Sequence, residues 1–84
     1  MQDRYEEAGR LYQEALPLYR QFGDRLGEAG CLFGMGLLAR ATGADGKEVR
    51  WLFTEAARIF TAIGNTEWAR RASDAAAAVP STGV

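Results

Sequence analysis

Residues 6–24, "EEAGRLYQEALPLYRQFGD", and residues 47–65, "KEVRWLFTEAARIFTAIGN", are one pattern written twice, 41 positions apart. Glu7 overlays Glu48, Leu11 overlays Leu52, Glu14 overlays Glu55, Ala15 overlays Ala56 and Gly23 overlays Gly64. Tyr12 with Phe53, Leu18 with Ile59, Tyr19 with Phe60 and Asp24 with Asn65 match in kind. The matches recur at steps of three and four, the period of one helical face. Each copy closes on a glycine followed by a helix-capping residue. A repeat of this length, made of two helices, predicts a stacked helical array.

The same signals divide the rest of the chain. Tyr5, Ala8, Leu11, Tyr12, Ala15, Leu18, Tyr19 and Phe22 predict a helix over 3–22, with Asp3 and Glu6 at capping-box spacing. Pro17 falls inside it; the apolar pattern keeps its phase beyond, which predicts a bend and not a break. Gly23 closes this helix and Asp24 caps a second over 24–42, which Gly43 stops. Asp45, with Glu48 three residues on, opens a third helix over 45–63. Gly64 ends it, and Asn65 caps a fourth over 65–79, with Trp68, Ala72, Ala75, Ala76 and Val79 on one side. Pro80 ends the fourth helix, and 81–84 read as a polar tail. No segment alternates with period two, so the expected class is all-α, a single domain over 1–80.

Between the two copies lies "GEAGCLFGMGLLAR", residues 27–40. Gly34 to Ala39 fits the G-x-G-x-x-A of a dinucleotide-binding turn, but that turn needs a preceding strand and a βαβ unit. Gly30 to Gly34 fits the G-x-x-x-G of membrane helices, but Glu28 and Arg40 bound the run far short of the ~20 residues of a span. A helix whose glycines admit close neighbours remains. Each interior glycine costs about 1 kcal/mol against alanine, which close packing must offset.

Composition narrows the function classes. The 84 residues carry a net charge of −1, without the basic excess of a phosphate-neutralising nucleic-acid binder. There is no histidine, which removes the commonest general base and zinc ligand. The acidic residues show no calcium-loop spacing, so no metal or other cofactor is expected. The single cysteine, Cys31, permits no internal disulfide and reads as a small buried hydrophobe. No secretory pattern follows Met1, so the cytoplasm is the expected compartment. Tyr12, Tyr19, Phe53 and Phe60 form a ladder at helical spacing that reads as core. Catalysis is not expected, because no acid–base or nucleophilic constellation is present.

The repeated motif carries a resemblance. Small, aromatic and small residues fall at Ala8, Tyr12, Ala15 and again at Val49, Phe53, Ala56. Between them stand Leu32, the pair Met35-Gly36, and Ala39, with Gly43 at the turn. This resembles the tetratricopeptide repeat, in its longer-period variety found in bacterial regulators and signalling ATPases. It departs from that pattern at Val49, where alanine is usual, and in the fourth helix, where Trp68 and Arg70 stand opposite Gly27 and Ala29. The resemblance implies antiparallel helix pairs stacked as an α-solenoid fragment: half a repeat, one full repeat, and half a repeat or a cap. It implies that Gly36 is a packing glycine.

It also implies a concave face bearing Gly30, Phe33, Gly34, Leu37, Arg40 and Ala41. Such a face suits a partner's helix or extended peptide; the pair Arg70-Arg71 with Arg40 reads either as a receiver for a partner carboxylate or as a solvated helix face. Equally, Phe33 and Leu37 would serve as core against a neighbouring helix or a second copy. The implied function is a non-catalytic protein–protein interaction scaffold, self-association included, whose partner is a protein, a peptide or another copy, not nucleic acid, membrane or metal. The other implied role is the C-terminal sensing or oligomerising segment of a bacterial transcription regulator or signalling ATPase. One side of helix 3–22 is expected to lack a neighbour, covered by further repeats or by another chain.

Overall fold

Three glycines turn the chain at the joints. Gly23, Gly43 and Gly64 have φ of 69°, 78° and 80°, in the left-handed region that costs a side-chain-bearing residue energy. At each joint the glycine N–H bonds back into the last turn and the next N–H reaches one residue further. Gly23 donates to the Arg20 carbonyl and Asp24 to that of Tyr19, at 3.2 and 2.8 Å. Gly43 and Ala44 do the same to Arg40 and Ala39, and Gly64 and Asn65 to Thr61 and Phe60. These are three Schellman closures. The next helix starts at once, its free N–H groups met by Asp24 (to Gly27, 2.8 Å), Asp45 (to Lys47, 2.9 Å) and Asn65 (to Trp68, 3.2 Å).

The computed structural model describes residues 2–80, with side chains from Arg4 onward. The Asp3 side chain and the tail at 81–84 lie outside the described residues. The helices are α1 (Gln2–Gln21), α2 (Arg25–Ala41), α3 (Gly46–Ala62) and α4 (Thr66–Ala77), with no strand among the described residues. Each agrees with its expected span to within two residues at either end. Helix α1 runs as one element through Pro17. Helix α4 stops at Ala77, before the expected 79, because Pro80 disfavours helical geometry at the residue before it. Val79 still packs into the core from the turn.

Extensive contacts run only between consecutive helices, α1 on α2, α2 on α3 and α3 on α4. The facing pairs show that neighbours are antiparallel: Tyr12 meets Gly34 while Tyr19 meets Gly27, and Phe60 meets Trp68 while Arg50 meets Pro80. The result is a slab of 37 × 28 × 17 Å, layered as a short solenoid fragment.

Helix α3 is central. Val49, Leu52, Phe53, Ala56, Ala57, Ile59 and Phe60 are all buried, joined by Ala29, Leu32 and Ala39 from α2 and Ala72 from α4. The two copies of the small–aromatic–small motif therefore differ. Val49, Phe53 and Ala56 are fully enclosed, whereas Ala8, Tyr12 and Ala15 are half-buried. The cause is positional: among the described residues α3 has a helix packed on each side, whereas α1 packs extensively on α2 alone. One buried charge pins that outer helix. Glu28, 6% exposed, accepts from Arg20 of α1 at 3.0 Å and from Arg25 at 2.8 Å. Burial of the carboxylate is offset only while those partners hold it.

Gly36 is the tightest seam of α2 on α3. A Cβ there would lie 2.6 Å from Cε1 of Phe53, a ring that is 0% exposed. Gly36→Ala should therefore destabilise the protein by about 1–3 kcal/mol, despite alanine's better helix propensity. Urea unfolding followed by circular dichroism measures this, and an unchanged or raised midpoint would contradict the packing described.

Candidate functional site

Helix α2 carries one stripe that its neighbours cover only in part. Leu26, Gly30, Phe33, Leu37 and Arg40 follow at steps of four and three, so they share a face. The N-terminal half of this stripe meets the start of α4. Leu26, Gly30, Phe33, Phe60, Asn65 and Trp68 line a groove of about 350 Å³. Its rim keeps large apolar surface in water: Leu26 is 57% exposed and Trp68 37%, and Leu37, one turn beyond Phe33 on the same stripe, is 38% exposed.

The floor is an aromatic cluster fixed by the core. Phe33 lies 5.4 Å from Phe53 and 5.6 Å edge-on from Trp68, whose other neighbour, Phe60, stacks at 5.9 Å. Such offset and edge-on pairs are the favourable ring geometries. Two arginines complete the surface. The Arg71 guanidinium lies 4.8 Å over the Trp68 ring and also bonds Glu67 at 2.8 Å. Arg40 lies 5.6 Å from the Phe53 centroid and makes no ion pair among the described residues. It borders a second hollow of about 240 Å³, with Ala44, Gly46, Val49, Val79 and Pro80.

Of the six expected partner-facing residues, Gly30 and Phe33 line the groove, Leu37 and Arg40 continue the α2 stripe beyond it, and Arg71 lies over the Trp68 ring. Gly34 is a correction. A Cβ there would meet the Tyr12 hydroxyl at 2.5 Å and Cζ at 2.6 Å, so Gly34 is a seam glycine against α1. Gly27 plays the same part under Tyr19. Ala41 is exposed at the end of α2. Leu26 and Trp68 are residues that sequence reasoning did not assign to the surface. Leu26 continues the Gly30–Phe33–Leu37 spacing by one step, which is a usable signal. Trp68 overlays Gly27 in the 41-residue register, and that mismatch marked it as unusual.

Cys31 is buried, 5% exposed, and its Sγ donates to the Tyr12 carbonyl at 3.4 Å. Burial pushes its thiol pKa up, with the Arg20 charge acting the other way. On the outer surface of α3, the hydrogen bond from Arg58 holds the Glu55 carboxyl below its usual range. No group of three or more His, Cys, Asp or Glu side chains converges as metal ligands among the described residues. No helix described is long and apolar enough to cross a membrane.

In comparison with known proteins, no family model matches this sequence, and no curated protein or solved structure is significantly similar to it.

Two outcomes follow from the site. Gly30 has no atom within 4 Å of where its Cβ would stand, so Gly30→Ala should raise the stability of the chain, by up to about 1 kcal/mol in urea unfolding. A fall would reveal a packing role. For Cys31, the raised pKa leaves less thiolate at a given pH and burial blocks access. Iodoacetamide at about pH 8 should alkylate it slowly in the folded chain and promptly in denaturant, as mass spectrometry reads; prompt labelling of the folded chain would overturn this burial.

Proposed function

We propose that this chain is a non-catalytic protein–protein interaction scaffold, a tetratricopeptide-type helix array that captures a protein segment in the groove between α2 and α4. The observation that carries this is exposed Leu26 and Trp68 flanking a preformed aromatic floor, with exposed Leu37 further along α2. A contiguous apolar surface of this kind, bordered by charge, is characteristic of interaction sites. Tryptophan and arginine are the side chains that most often dominate binding energy at such sites.

The chemistry selects the segment. Gly30 leaves the floor open for an apolar side chain to reach Phe33 and Trp68. Arg40, without an ion-pair partner among the described residues, would receive a carboxylate further along. A short amphipathic helix or extended peptide with apolar residues and one acidic residue fits these demands. The same reading places the chain in the cytoplasm, where an isolated reduced thiol such as Cys31 is ordinary.

The test uses the two tryptophans. In a Trp51→Phe background Trp68 is the sole indole, so its fluorescence reports the groove. Peptides selected from a displayed random library should combine apolar positions with an acid and should perturb that fluorescence. Leu37→Glu and Leu26→Glu alter exposed side chains and should leave the fold intact while weakening binding at least about tenfold, or ~1.4 kcal/mol. Selected peptides that bind both variants as well as the parent would refute the groove as the site.

A further inference from the structure

The 41-residue equivalence exposes a second surface. Ala8, Leu11, Ala15, Leu18 and Phe22 form one row on α1, the counterpart of Val49, Leu52, Ala56, Ile59 and Ile63 on α3. On α3 the first four are at most 5% exposed. On α1, Leu11 is 58% exposed, Leu18 53% and Phe22 77%. The α1 positions that meet α2, among them Tyr12 and Tyr19, correspond to α3 positions Phe53 and Phe60; Phe60 stacks on Trp68 of α4, whereas Phe53 lies against Gly36 and Phe33 of α2. The buried row on α3 also lies toward α2: Leu52 lines a hollow with Met35, Leu38 and Ala39 of α2, closed on its far side by Gly9 and Gln13 of α1. Among the described residues no helix covers the Leu11–Leu18–Phe22 side of the matching row on α1, where Ala8 and Ala15 are half-buried. Beside it, Leu11, Tyr12, Ala15, Tyr19, Gly27, Gly30 and Cys31 line a groove of about 260 Å³ between α1 and α2.

The covering helix must resemble α2 where α2 lies on α3. There α2 presents Ala29, Leu32 and Gly36, a small–Leu–small row at steps of three and four. Helix α1 presents Ala8, Leu11 and Ala15, the same row at the same steps. Helix α4 does not: its positions equivalent to Ala29, Leu32 and Gly36 are Arg70, Ser73 and Ala77, all exposed and mostly polar. Head-to-tail stacking of copies would bury Arg70 against leucines. The geometry points instead to the Leu11–Ala15–Leu18 face of α1 as the interface of a two-fold homodimer, in which α1 of a second copy takes the place that α2 takes on α3.

Antiparallel packing about a two-fold axis sets Leu11 against the second copy's Ala15, and Ala8 against its Leu18, large side chains facing small ones. Along the edge away from α2, exposed Arg10 comes within reach of the second copy's Glu14; neither makes an ion pair among the described residues. This surface shares only Gly30 with the α2–α4 groove and does not rest on that groove's function.

Sedimentation of the 84-residue chain tests it. The expected species is a dimer that dissociates on dilution. Leu18→Glu, at an exposed side chain, should give a monomer with undiminished helical circular dichroism, and Leu37→Glu should remain dimeric. A second measurement fixes the register. In a Cys31→Ala background, an oxidised equal mixture of Leu11→Cys and Ala15→Cys copies should yield the mixed disulfide in preference to either symmetric one. A monomer at every concentration, a dimer indifferent to Leu18→Glu, species that grow beyond the dimer with concentration, or random disulfide pairing would each overturn it.

Discussion

The Phe53 ring lies against the bare backbone of Gly36, and the rest of the molecule is arranged around that contact. The missing side chain lets α2 come close enough to α3 for Leu32, Ala39, Ala56 and Ile59 to exclude water. Phe53 also reaches the surface chemistry. One of its neighbours is Phe33, on the groove floor, and another is the Arg40 guanidinium. The floor of the groove is thus an outer layer of the core, and its rings are held in place by core packing. Binding to such a surface loses less conformational entropy than binding to one that must first be ordered.

Stability is unevenly distributed along the slab. Helix α3 has neighbours on both sides and holds most of the core, whereas α1 contributes no fully buried side chain among those described. What holds α1 is a seam of two tyrosines over two glycines and the Glu28 carboxylate between Arg20 and Arg25. Elements with few buried contacts open at lower free energy than the core. The ends also differ in kind. The α1 end is apolar, with Leu11 and Leu18 in water, and the outer row of α4 is polar, with Arg70, Ser73 and Asp74 exposed.

Much of this was legible in the sequence. Helix positions follow from apolar spacing, and the joints follow from Gly23, Gly43 and Gly64, since only glycine accepts a φ near +70 to +80° without strain. The 41-residue repeat fixed the order of the helices and the burial of Phe53 and Phe60. Part of the groove was legible too: Gly30 and Phe33 line it, on the helical face they share with Leu37 and Arg40. Trp68 was harder. Its exposure depends on how α4 rests against Phe33 and Phe60, and α4's own spacing assigns it simply to an apolar side.

The glycines of "GEAGCLFGMGLLAR" mark the boundary between the two kinds of knowledge. Sequence alone determined that this stretch is a helix, that its glycines weaken it, and that close neighbours must offset the cost. It could not distribute the neighbours. Gly30 and Gly34 are one turn apart and differ by only about 40° around the helix, so periodicity gives them one face. In the folded chain Gly34 lies under the Tyr12 ring and Gly30 lies against nothing, between two grooves. The physical reason is that a glycine has no side chain to announce its partner. What approaches it is decided by the helix that packs there, and that is a property of the tertiary structure.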